Sequence, residues 1–242
     1  MPKRRNNNVN GESGNAFLVI LIGVVLMGAL MFTFTRSARQ GGTDMSDREA
    51  AIAVSDVMAF AQRAQRAVDR IMRRGDVSEV DLSFETALLD GYENANCTKD
   101  KCKVFNVSGG GLTYSEPQVS WFDKTHQGDA GYGTWIFTGD NAVKGAGNDC
   151  ADASCNDIVM VLPYVKENLC LKLNQELNID NPDGMPPKTS GGISLNPFTG
   201  AYTVGETMKT GGDDAIGPAA CVWIDSGPYA NTNMFYNTIK AR

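Results

Sequence analysis

Hydrophobic and polar positions alternate differently in successive parts of the chain, and each change of period marks a change of element. From Ala16 to Phe34 the sequence is uncharged and almost wholly apolar, and at about 1.5 Å per helical residue such a run matches the roughly 30 Å hydrocarbon core of a bilayer. An apolar signal region is shorter, about 7–15 residues, and ends in small residues at a cleavage site. Here the run ends in "MFTFTRSAR". Residues 16–35 therefore read as a retained membrane-spanning helix.

After Gly41 and Gly42, which weaken a helix by about 1 kcal/mol each, the period becomes that of an amphipathic helix. Ser46 and Glu49 have the spacing of a capping box, and a helix is expected from Asp47 to about Arg74. Ala50, Ala53, Val57, Phe60, Ala61, Ala64, Val68 and Ile71 recur at steps of three and four to form its apolar face. Arg63, Arg66, Arg70 and Arg73 form a basic stripe at the same steps. Its plain reading is a solvated face; acidic lipid headgroups or a neighbouring subunit's acidic head would also meet it. Gly75 is placed to end the helix.

Beyond Gly75 the pattern turns β-like. "SEVDLSF", "KCKVFNV" and "GYGTWIFTG" read as strands separated by turn signals such as "SGGG" and "TGDN". Ile158 to Leu162 fits either a buried strand or the start of a helix, with Pro163 as the boundary. Val165, Leu169, Leu173 and Leu177 then support a short helix carrying Cys170. "AACVWID" and "MFYNTIKAR" form a closing antiparallel pair, and the Gly-, Pro- and Asn-rich stretch 178–217 reads as loop with one hairpin at "PFTG". The domain plan is a basic tail or leader (1–15), a transmembrane helix (16–35), a linker and amphipathic helix (36–74) and an α+β head (75–242).

Charge and cysteines set the topology. Residues 1–35 carry a net charge of +2, residues 36–74 a net +3, and the total of −6 leaves −11 for residues 75–242. An acidic head repels phosphate backbones, which argues against nucleic acid as a partner. Basic residues flank the span on both sides, so they do not orient it. The cysteines do: Cys97, Cys102, Cys150, Cys155, Cys170 and Cys221 all follow the span. An even set at close spacings reads as disulfides in an oxidising compartment, and the zinc alternative would require metal to be acquired outside the cell. Cys97 with Cys102 and Cys150 with Cys155 need only local closure, leaving Cys170 with Cys221. The N-terminus is then cytoplasmic and the head outside the cytoplasm, with the lipid bilayer as its first partner.

The architecture resembles the type IV pilin and pseudopilin superfamily. A short basic leader precedes "ESGNAFLVILIGVVLMGAL", an amphipathic continuation and an antiparallel head follow, and a late region is bounded by Cys170 and Cys221. The resemblance implies a pilin-like α+β fold: the membrane-spanning and amphipathic helices packed on an antiparallel β-sheet head with disulfide-braced loops. It also implies leader cleavage, with Gly11 and Gly14 as candidate sites, and association with other pilin-like subunits of a type IV pilus or type II secretion machine. The mature helix of familiar pilins has glutamate at its fifth position. A cut after Gly14 puts Val19 there, which matches a minor or tip subunit better than a major one. Gly23, Gly28 and Ala29 are the small residues through which such a span would pack. The alternative function is a stand-alone anchored module that binds a ligand or envelope protein.

No enzymatic function is expected. His126 in "DKTHQGD" reads as an exposed loop histidine, and "SGGGLTY" and "TSGGIS" lack the lysine and helix of a phosphate-binding loop. No cofactor is expected. Calcium is the one ligand with candidate oxygens, at Asp180, Asn181 and Asp183 and at Asp149, Asp152 and Asp157, although neither cluster has the twelve-residue spacing of an EF-hand.

Overall fold

A computed structural model describes residues 20–23, 45–148, 153–189, 192–203, 205–209 and 214–242. Residues 20–23 are helical; the rest of the expected span, including Gly28 and Ala29, and the candidate cleavage sites Gly11 and Gly14 lie outside the described residues. No helix among the described residues is long and apolar enough to cross a membrane. Residues 45–242 form one compact unit of mixed α and β structure.

Helix α1, Asp47–Met72, begins as its sequence dictates. Ser46 Oγ accepts the Glu49 N–H at 3.3 Å, and the Glu49 carboxylate accepts the Ser46 N–H at 2.9 Å. Gly75 ends the turn beyond its C-cap with φ of +73°, where a side chain would be strained. All eight apolar positions named from the period are buried, together with Val54 and Ala67. Phe60 stacks on Trp135 with ring centroids 4.6 Å apart, fixing the helix on the core.

The sheet has six strands: β1 Ile136–Val143, β2 Asp157–Leu162, β3 Lys188–Thr189, β4 Glu206–Met208, β5 Ala219–Ile224 and β6 Thr232–Lys240. Their order is β3-β5-β6-β2-β1-β4. The four central strands are antiparallel, with Phe137 opposite Met160, Val161 opposite Tyr236, and Cys221 opposite Phe235. The edge strands β3 and β4 run parallel to β5 and β1, so the sheet is mixed rather than purely antiparallel. Helix α2, Glu167–Leu177, packs against α1 and β5.

Both faces of the sheet are covered, which resolves the ambiguity at Ile158–Leu162. Phe137, Ile158, Met160, Leu162 and Phe235 face the core that holds α1 and α2. Val159, Val161, Val222, Ile224 and Tyr236 face a second core closed by Ile193 and Met208, with Ile179, Leu195 and Ile216 at its margin. A strand buried on both sides reads as a continuous apolar run, and every residue of β2 is buried.

Three strand and turn expectations are corrected. "SEVDLSF" and "KCKVFNV" are not strands: their first residues form 3-10 turns at Glu79–Asp81 and Asp100–Cys102, and a single parallel bridge joins Ser83 to Lys103. Backbone bonds spanning three residues close these turns before a ladder can extend. No hairpin forms at "PFTG" either; Phe198 is buried there, its N–H bonded to the Phe137 carbonyl at 2.8 Å, so the segment is pinned along β1.

Candidate functional site

The region bounded by Cys170 and Cys221 is held twice. A disulfide joins the two residues, with Cα atoms 5.2 Å apart and both side chains fully buried. One helical turn later, Asn174 Oδ1 accepts the Cys221 N–H and Asn174 Nδ2 donates to the Cys221 carbonyl, both at 2.8 Å. The short β3 pairs only with Trp223 and Ile224, so a side-chain amide takes the place of a ladder partner at Cys221. Asn174 Nδ2 also donates to Asn181 Oδ1, and Asn181 Nδ2 donates to the Leu171 carbonyl, folding the chain back over the end of α2. The second expected bridge, Cys97 to Cys102, is present. Cys155 is disulfide-bonded; its expected partner Cys150 lies outside the described residues.

The basic stripe is exposed along α1, as Arg63, Arg66, Arg70 and Arg73 all reach solvent. Arg63 Nε donates to the Ala59 carbonyl and its guanidinium lies 5.8 Å from the Phe60 ring centroid. Exposed Arg48 and Ile52 extend the same line toward the helix start. The eleven-position gap between Ile52 and Arg63 separates them from the three-and-four spacing of the stripe. Nearby lysines are neutralised: Lys101 pairs with Asp76, and Lys103 pairs with Glu85 at 3.2 Å. Among the described residues no ion pair joins any ridge arginine to a carboxylate.

The calcium expectation fares differently at its two clusters. Asp180 and Asp183 are exposed, but the Asn181 side chain is committed to Asn174 and Leu171. Asp149 and Asp152 lie outside the described residues. Asp157 is buried, accepting the Val143 N–H at 2.8 Å and the Arg242 N–H at 3.0 Å. Among the described residues no group of three carboxylate, histidine or cysteine side chains is placed to hold a metal. His126 is corrected from an exposed loop residue to a half-buried one: its Nδ1 lies 3.0 Å from Asp129 Oδ2 and its ring stacks on Tyr164 at 4.9 Å.

Two polar clusters had no sequence signal because their members are far apart in the chain. Asp140, buried in β1, accepts from Asn196 Nδ2 at 3.0 Å and from the Thr203 N–H at 3.2 Å, tying the covering segment 192–203 to the sheet. Glu79 pairs with Lys240 and with Arg242 Nε, and the Arg242 guanidinium lies 4.0 Å from the Tyr202 ring centroid. Burial, reinforced by the Glu79 carboxylate, raises the Tyr202 phenol above its ordinary range. Burial also raises Tyr92 and Tyr236, and pushes Tyr114 up to about 12. These phenols stay neutral packing groups at physiological pH. Comparison with protein-family models, curated proteins and solved structures finds no match for the chain.

Proposed function

We propose that this protein is a structural assembly subunit of the minor pilin or pseudopilin type, anchored in a bacterial inner membrane by residues 16–35 with its head on the far side. The observation that carries the reading is α1 itself. A helix of 26 residues begins close after the apolar run and lays its whole apolar face on a disulfide-braced head. In this reading α1 is the part of the head that the span leads into. The bridge between α2 and β5 supports an oxidising location for the head. Calcium and catalysis form no part of this reading.

The mature amino terminus tests it. Mass spectrometry of protein from its native membrane is expected to show loss of the tail through Gly11 or Gly14, and cysteines introduced at positions 23 and 28 should crosslink to a different subunit. Long homopolymeric filaments formed by the purified protein alone would replace the minor-subunit reading with a major one. An intact Met1 with no crosslinked partner would favour the stand-alone anchored binding module.

A further inference from the structure

We propose that the outward ridge of α1 is a docking surface for the anionic headgroups of a lipid bilayer, so that the head lies along the membrane. The proposal rests on the ridge and on the membrane anchor proposed at residues 16–35, and not on assembly into a fibre. At 100° per residue, Arg48, Ile52, Arg63, Arg66, Arg70 and Arg73 fall within an arc of about 80°, on the side opposite the buried face. From Arg48 to Arg73 the line is about 37 Å long at 1.5 Å per residue. Its acidic neighbours on the helix, Asp56 and Asp69, lie only at its two margins, and Asp56 Oδ2 accepts a hydrogen bond from Gln118 Nε2 at 3.4 Å. Ile52 is 58% exposed within the ridge, and Val119, beside Gln118, is 66% exposed. An arginine-rich line carrying an exposed apolar side chain fits an interface of phosphates over acyl chains.

The shape of the ridge selects the occupant. A straight line about 37 Å long meets a plane along its whole length. The acidic group at the end of α2, Glu176, Asp180 and Asp183, spans little more than two helical turns of sequence, so a second copy would cover only part of the ridge. Nucleic acid offers an extended phosphate line but would also approach the acidic head, whose net charge of −11 over residues 75–242 follows from the sequence. A bilayer meets the ridge from one side only. The guanidinium groups can bind phosphates in pairs of parallel hydrogen bonds, and the longer-range attraction is screened over about 8 Å at physiological salt.

The full chain is reconstituted at one copy per nanodisc, in phosphatidylcholine alone or with phosphatidylglycerol, using lipids that carry a headgroup quencher. A fluorophore is attached through an unnatural residue at position 55 or 59 on α1, or at position 226 as a reference, leaving the disulfides intact. Quenching at 55 and 59 is expected only in phosphatidylglycerol discs, with position 226 unaffected, and raised salt should abolish it. Each ridge arginine near an anionic surface contributes about fivefold, so Arg66→Gln with Arg70→Gln should lower the ratio of docked to undocked head by about 25-fold. Arg66→Lys with Arg70→Lys should retain docking, showing that charge rather than folding was lost. Equal quenching in both lipids, equal quenching of position 226, or no effect of the glutamine pair would overturn the proposal. Protection of the ridge only in discs holding two copies would assign it to a second chain instead. A cleaved or uncleaved amino terminus leaves this result untouched, so the two readings fail separately.

Discussion

Removing the Cys170–Cys221 bridge should destabilise the protein more than removing any locally closed one. The two cysteines are separated by 51 residues. In the chain-entropy treatment of cross-links, a loop of that length corresponds to about 4 kcal/mol at 25 °C. The Cys97–Cys102 bridge, with a separation of 5, corresponds to about 2 kcal/mol. Packing sharpens the difference, because Cys170 and Cys221 are fully buried between α2 and β5 whereas Cys97 is partly exposed. Asn174 provides an internal control. Asn174→Ala would strip the partners from the Cys221 N–H and carbonyl, at about 1–3 kcal/mol for a buried polar group left unpaired. Since the two devices pin adjacent turns of α2 to the same residue of β5, they should couple: once the bridge is gone, the asparagine substitution should cost measurably less than its single-variant value. Urea denaturation of the four variants, Cys170→Ala/Cys221→Ala, Cys97→Ala/Cys102→Ala, Asn174→Ala and the bridge-plus-asparagine combination, gives each quantity. A loss below about 1 kcal/mol for the long bridge, or a larger loss for the short one, would refute the entropic argument. Strict additivity would refute the shared pinning.

Gly205→Ala should cost about 3 kcal/mol or more, because its Cβ would lie 1.6 Å from the Asp140 carbonyl oxygen. Gly184→Ala, with φ of +75° but open space around it, should cost only about 1 kcal/mol of backbone strain in the same thermal or urea comparison. Asp140→Ala should loosen the segment 192–203, read as faster hydrogen exchange at the Thr203 amide while the α1 amides keep their protection. Hydrogen bonds from the Ser46 side chain and backbone hold the Glu49 carboxyl below its ordinary 4.5. Its folded value is therefore the lower one, so the stabilisation is fully present above about pH 4.5 and is lost as pH falls through the depressed value. Glu49→Gln should accordingly flatten the acid limb of a plot of urea midpoint against pH; an unchanged limb would show that other carboxylates dominate it.

How far the fold was legible depended on how locally each element is determined. The α1 boundaries and buried face follow from Ser46, Glu49, Gly75 and a three-to-four period, all contained within the helix. The short helix bearing Cys170, the closing β5–β6 pair and the Cys97–Cys102 bridge were legible for the same reason, whereas Cys170–Cys221, separated by 51 residues, followed only as the pair left over by the local ones. Residues 76–135 misled because β-prone side chains such as Val80, Leu82 and Val104 sit in or directly after turns closed over three residues. Leu82, Val104 and the neighbouring Phe84 reach the core from there. Propensity for a strand records fit to a half-buried surface, and here the core supplied that surface without a neighbouring strand. The edge strands were invisible because each is very short and pairs in parallel with a distant segment: Lys188 with Trp223, and Glu206 with Asn141. The Asp140 and Glu79 clusters were hidden likewise, since their partners come from remote parts of the chain.

The covering of the second sheet face bears on how the ridge of α1 is left available. In a two-layer α/β head, one sheet face packs against helices and the other faces water or a partner. Here the segment after α2 supplies Ile179, Ile193 and Leu195 to close the second face, and Asp140 and Asn141 hold it there through Thr203, Asn196 and Ser194. Among the described residues, neither sheet face is left as a broad apolar docking surface. What remains unpaired and one-signed is the outward side of α1. Under the assembly proposal, a subunit entering a fibre would have to lift that ridge from the bilayer, exchanging lipid phosphates for other neighbours. Attraction built from exposed arginines weakens with salt and is spread over several modest contributions, so it can orient a head without locking it. The same ridge would serve a permanently anchored binding module by fixing the orientation of its head. The two readings therefore part at release: salt-sensitive docking that is lost when a partner subunit is added supports assembly, whereas docking that persists with every added subunit supports the fixed anchor.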